Sequence, residues 1–192
     1  MTCRSAVLIN ATGPWVAETA QRIEPLAPAV PIDLVQGAHL VLDLPARQSI
    51  YYLEVPEDGR AVFLMPWRGK SLLGTTERVY MGDPANAAPS EVERQYLLTV
   101  MKRYFPGTDY RPVSEFAGVR VLPRSSGRLF ERGRELILEG DTPRTPRVLH
   151  LYGGKLTSYR ADSEKIMARL KPALPQRKAL ADTCTLPLGP VT

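Results

Sequence analysis

The segment at 147–160, RVLHLYGGKLTSYR, constrains this chain more than any other. Residues 147–152 read as a short apolar strand, which Gly153-Gly154 ends. From Thr157 or Ser158 to Leu170 the spacing turns helical, with Tyr159, Ser163, Ile166, Met167 and Leu170 on one side. Strand, double glycine and helix let backbone approach a ligand closely. They also aim free N–H groups and the positive end of a helix dipole at an anion. Lys155 adds a full positive charge there. On spacing alone, an ordinary strand-to-helix turn fits equally well.

A chain of 192 residues, 44% hydrophobic, can bury the core of one large domain or two small ones. The net charge of +5 is mild, and its Lys and Arg are scattered among acids, which argues against nucleic acid as a partner. Cys3 and Cys184 form no CxxC and suit a reducing compartment, and no metal site is expected. No apolar run approaches the roughly 18 residues that a spanning helix needs, and no signal peptide opens the chain. These features predict a soluble, cytoplasmic protein and leave a peripheral contact on the inner face of a membrane open.

Residues 5–10 (SAVLIN) form a continuous apolar strand, of the kind buried on both faces in the middle of a sheet, and residues 16–23 a helix after it. A central strand with so little before it predicts a chain cut from something longer. Pro25, Pro28 and Pro31 mark a crossing between domains. Strands follow at 35–42, 50–55, 61–65 and 71–75, with Asp58-Gly59 and Arg68-Gly69-Lys70 as turns, so an antiparallel meander is expected. Ser90 and Glu93 make a capping box for a helix whose stripe is Val92, Tyr96, Leu97, Val100, Met101, Tyr104 and Phe105; Pro106-Gly107 stops it.

Residues 115–122 alternate as a strand with Phe116, Gly118, Arg120 and Leu122 on one face. An arginine on an apolar strand is costly unless something anionic meets it, either a carboxylate of this chain or a bound phosphate or carboxylate. Two more strands are expected at 134–139 and 147–152, where His150 reads as structural. The proline-spaced tail from Pro172, with Pro175, Pro187 and Pro190, reads as a linker.

Seven stretches together resemble one family, the flavin-dependent glycerol-3-phosphate dehydrogenases of the D-amino-acid-oxidase-like superfamily. They are Asn10-Ala11-Thr12-Gly13-Pro14-Trp15, Gln36-Gly37-Ala38-His39, Phe63-Leu64-Met65-Pro66-Trp67, Leu73-Gly74-Thr75-Thr76, Tyr80-Met81-Gly82-Asp83-Pro84, Ala117-Gly118-Val119-Arg120 and Gly153-Gly154-Lys155-Leu156-Thr157-Ser158-Tyr159-Arg160. They fall in family order. The chain departs from the family's usual pattern at Ala38, Glu77 and Val121.

The resemblance implies an α+β fold: an antiparallel substrate-binding sheet with flanking helices, plus returning strand and helix pieces of a Rossmann-like FAD domain. It implies FAD-domain pieces at 1–27 and 116–171, a substrate domain at 28–115 and a linker at 172–192. The GxGxxG unit that opens family members is not among these residues, nor is their helical C-terminal domain. A fragment is therefore expected, inactive and weak in FAD binding by itself.

The implied reaction is oxidation of glycerol 3-phosphate to its ketone by hydride transfer to FAD, with a quinone as final acceptor. Ala11, Gly13, Trp15, Gly153, Gly154, Lys155, Leu156 and Thr157 would then bind FAD. Arg120 and Lys155 would bind the substrate phosphate, with Arg120 also in the catalytic set. His39 would accept the alcohol proton, its other reading being a hydrogen-bonded sheet histidine. The alternatives are a related flavoenzyme acting on a 2-hydroxy acid or an amine, a basic β-domain that binds nucleic acid, and a purely structural module.

Overall fold

The computed structural model describes residues 5–45, 48–186 and 189. Cys3, Pro187 and Pro190 lie outside them. The chain divides into two compact units. Pro31–Gly133 form one, and the residues up to Val30 together with those from Arg134 onward form the other.

The unit of Pro31–Gly133 is built on one long strand, β2 (Ile32–Leu42). β3 (Tyr51–Val55), β4 (Arg60–Trp67) and β5 (Lys70–Gly74) form the expected antiparallel meander and add to one edge of β2. The short β6 (Arg78–Val79) continues that edge opposite Val35 and Gln36. β7 (Pro112–Pro123) pairs along the other edge for the full length of β2. It therefore crosses the boundary expected at residue 116, and the unit extends to Gly133. Only tertiary pairing reveals this, because the local pattern of β7 is that of any strand.

Both turns have the backbone their residues suggest. Gly59 takes φ 71° after Asp58, whose carboxylate accepts from Arg60 N at 3.0 Å. Arg68 and Gly69 take φ 49° and 77°, the double positive φ of a two-residue hairpin turn.

Helix α2 (Glu91–Tyr104) carries the predicted capping box, with Ser90 and Glu93 each accepting from the other's backbone N–H. Its Leu97, Val100 and Met101 cover Leu40, Leu42, Leu53, Val55, Val62, Leu64 and Leu73 of the sheet. Each such side chain, fully buried, stabilises the fold by about 1.5–3 kcal/mol. Val92 was expected in this stripe but is 80% exposed. The face turned to the sheet is set by Glu93, Leu97, Val100 and Met101, and Val92 falls outside it.

The other unit holds β1 (Leu8–Asn10), α1 (Val16–Ala20), β8 (Ile137–Gly140), β9 (Val148–Tyr152) and α3 (Tyr159–Leu170). Its sheet order is β1-β9-β8, with β1 parallel and β8 antiparallel to β9. β9 is the central strand here. Among the described residues β1 is at the edge, and Ile9 is 44% exposed, against the expectation of a strand buried on both faces. An apolar run reports burial tendency and not which neighbours are present. Helix α3 also turns differently from expectation: Asp162 and Leu170 are buried, while Tyr159 and Met167 are over half exposed. The buried, hydrogen-bonded Asp162 rotates the inner face away from the purely apolar reading.

Candidate functional site

Alternation along β2 turns Gln36, Ala38, Leu40 and Leu42 toward α2, and Gly37, His39 and Val41 toward the opposite face of the sheet. Residues directly opposite on neighbouring strands share a face. Phe116 therefore accompanies His39, Gly118 accompanies Gly37, and Arg120 stands two residues farther along β7 on that same face. The Gly37–Gly118 pair carries no side chains and leaves a low floor between His39 and Arg120. A Cβ built on Gly118 would meet nothing within 4 Å, whereas one on Gly37 would fall 2.4 Å from Thr75 Oγ1. Thr75 thus covers Gly37, and the floor over Gly118 is open.

Packing sets the His39 ring. It stacks on Phe116 with centroids 5.0 Å apart and planes inclined by 10°. On its other flank is Gly74, where a Cβ would lie only 2.2 Å from His39 Cδ2. Among the described residues, Nδ1 of His39 is buried without a hydrogen-bond partner. Burial first, and then the nearby charge of Arg120, holds the imidazole below the ordinary histidine value. Both effects favour the neutral ring.

Arg120 is ion-paired with Glu77, whose side chain is 6% exposed while that of Arg120 is 31% exposed. The anion facing this arginine inside the chain is thus a carboxylate of its own. The Glu77 carbonyl accepts from Arg60 Nη1 at 3.3 Å, which anchors the 75–77 connection from a second side. Of the departures from the family pattern, Ala38 and Val121 are buried side chains, Ala38 on the α2 side of β2 and Val121 opposite Leu34. Glu77 is the departure that touches the site.

The second candidate group belongs to the other unit. Gly153 and Gly154 take φ 75° and 88°, a turn that other residues adopt only under strain. After Lys155 a 3-10 turn, Leu156–Ser158, leads into α3, and neither start has a side-chain cap. Leu156 is 89% exposed, and Lys155 Nζ lies 3.1 Å from the exposed Glu135. Asp162 accepts from Ser158 Oγ and from Lys165, behind the turn. At the end of β1, Asn10 donates to Val16 O and bonds His150 Nδ1, each at 2.9 Å, and Thr12 Oγ1 donates to Asn10 Oδ1 at 2.7 Å. Gly13 follows at φ 57°, and Trp15 is 39% exposed. His150 is buried at the Asn10 bond, in line with a structural role.

His39 and Arg120 are thus on one sheet face with Glu77. The residues expected to hold FAD, Ala11, Gly13, Trp15 and Gly153 to Thr157, are in the other unit. Sequence reading did not single out Gly74, Thr75, Thr76, Glu77 or Glu93 as site residues. The Leu73-Gly74-Thr75-Thr76 stretch is a signal for the first three and the departure at Glu77 for the fourth, and nothing local shows that Glu93 reaches them.

Residues 2–160 match a family described as FAD dependent oxidoreductase, abbreviated DAO. The chain belongs to this family. FAD is the family's cofactor. Among curated proteins, a glycerol-3-phosphate dehydrogenase of Pseudomonas tolaasii is 35% identical over 97% of this chain and 37% of its own length. A D-erythritol 1-phosphate dehydrogenase of Brucella abortus is 31% identical over 91% of the chain and 36% of its length. The aerobic glycerol-3-phosphate dehydrogenase of Escherichia coli is 34% identical over 86% and 34%. A glycerol-3-phosphate dehydrogenase from Bacillus halodurans, solved with FAD, superposes with a TM-score of 0.68 at 25% identity, over 85% of this chain and 31% of that one. Glycine oxidase from Geobacillus kaustophilus, 15% identical with a TM-score of 0.62, shares the fold. The chain spans about a third of the length of the curated relatives it matches.

Proposed function

We propose that this chain carries the substrate-binding sheet and part of the flavin site of an enzyme that oxidises a polyol phosphate, with glycerol 3-phosphate as substrate and a quinone as final acceptor. The observation that carries the reading is His39 on the same open sheet face as Arg120. Similarity to glycerol-3-phosphate and erythritol 1-phosphate dehydrogenases supports the substrate class.

The Gly153-Gly154 turn fits a cofactor: two positive-φ glycines bare the backbone, and the uncapped helix start that follows favours negative charge. Gly153, Gly154, Lys155, Leu156 and Thr157, with Ala11, Gly13 and Trp15, would hold FAD. FAD, when bound, supplies the hydride acceptor. His39 accepts the proton of the substrate hydroxyl, which a neutral imidazole can do. Arg120 binds the phosphate through its solvent-reaching side, with Glu77 fixing its orientation from the buried side. Lys155 is the second proposed phosphate ligand, by its place in the glycine motif.

The test is turnover by the full-length, flavin-loaded protein with a dye acceptor. Glycerol 3-phosphate should be oxidised, and 2-hydroxyglutarate and sarcosine should not. Preference for either of those two would replace this reading with that of a related 2-hydroxy-acid or amine oxidase. A quinone analogue in place of the dye tests the acceptor.

A further inference from the structure

Glu93 makes more bonds than a helix cap requires. Its side chain is 5% exposed. One carboxylate oxygen, Oε2, accepts from Ser90 N at 3.0 Å, Ser90 Oγ at 2.8 Å and Gln36 Nε2 at 2.7 Å, and Arg78 Nε lies 3.4 Å from it. The other, Oε1, accepts from Thr76 Oγ1 at 2.7 Å. Thr76 Oγ1 in turn accepts from Ala38 N at 2.9 Å, one residue before His39.

The sheet explains why this matters. β5 pairs with β2 as far as His39–Gly74, and β6 resumes at Gln36–Arg78. Opposite Gly37 and Ala38 the chain at 75–77 leaves the regular ladder. There the Thr76 hydroxyl takes the place of a strand carbonyl, and Thr76 N donates back to Ala38 O at 3.4 Å. Irregular pairing of this kind re-aims side chains. Thr75 is turned over Gly37, and Glu77 pairs with Arg120. A hydroxyl has one proton, and Thr76 spends it on Glu93. The carboxylate on the α2 side of the sheet thus dictates which way that hydroxyl points.

We infer that Glu93, acting through Thr76, is a positioning residue that fixes the 75–77 connection and thereby places His39 and Glu77–Arg120 on the opposite face. This rests on the proposed roles of His39 and Arg120 only for its effect on turnover. The placement itself can be read without substrate.

The chain has two histidines, so their ring signals can be followed by NMR as two titrations. The charged groups around His39 are Arg120 on β7 and its partner Glu77 on the 75–77 connection. Thr76→Val keeps the shape and removes the hydroxyl. It should move the His39 titration up toward the ordinary histidine value, leave His150 in place, and lower kcat/KM about tenfold or more in the full-length, flavin-loaded protein. Thr76→Ser should restore both. Ser90→Ala breaks the cap and spares the Thr76 bond, so it should lower Tm without moving His39. Should Thr76→Val not fold, Glu93→Gln serves, since an amide cannot offer an acceptor to Thr76 and to Ser90 and Gln36 at once. The inference is overturned if His39 titrates as in wild type in Thr76→Val, or if Ser90→Ala shifts it equally. Absence of polyol-phosphate turnover in wild type, with the His39 shift present, would instead overturn the functional reading alone.

Discussion

His39 and Phe116, directly opposite on neighbouring strands, stack face to face at 5.0 Å, and Gly74 closes the other flank of the imidazole. The ring is oriented by contact on two sides. A methyl at Gly74 would have to displace backbone or ring, since its carbon would fall 2.2 Å from His39 Cδ2. Gly74→Ala is therefore expected to lower kcat about tenfold or more through misplacement of His39, with a smaller effect on KM. Steady-state kinetics of the full-length protein against wild type checks this.

The depressed pKa of His39 gives a signed pH dependence. Below its ordinary value of 6.5 the unfolded chain binds a proton that the folded site resists. The same holds for His150, which burial also holds low. The folded state therefore gains stability as pH rises from the folded pKa values toward 6.5, and loses it as pH falls through that window. Tm should drop from pH 7.5 to pH 5.5, and drop less in His39→Gln. Activity should likewise fall on the acid side only below about 6.5. Arg120→Met removes one of the two causes, and the His39 titration seen by NMR should rise.

The hairpin at Asp58-Gly59 offers a test of the sheet alone. Gly59 sits at φ 71° with open space around it, so the cost of a side chain there is conformational. Gly59→Val should destabilise the protein by about 1 kcal/mol or more, read as a lower denaturation midpoint. An unchanged midpoint would argue against the turn.

Elements that depend on local pattern were legible in the sequence. The capping box at Ser90 and Glu93, the turns at Gly59 and Gly69, the meander from β2 to β5 and the strand ending at Gly153 all follow from short-range chemistry. What was not legible depends on partners far along the chain. The pairing of β7 with β2 is one case, and the exposure of Ile9 and Val92 in apolar runs is another. In the site, the face shared by His39 and Arg120 requires the β2–β7 register, and the meeting of Arg120 with Glu77 requires the β6 connection. Glu93 was read as a helix cap because its spacing from Ser90 says only that. Its second role needs Thr76, which only the folded sheet delivers.

The central claim is that Arg120 recognises the substrate's phosphate. A lysine there keeps the charge and loses the planar fork, which a point charge cannot reproduce in a bidentate contact. The decisive measurement is kcat/KM for glycerol 3-phosphate in the full-length Arg120→Lys variant, with FAD content measured alongside. A fall of about tenfold or more with normal FAD content is predicted. Wild-type kcat/KM in that variant would contradict the claim.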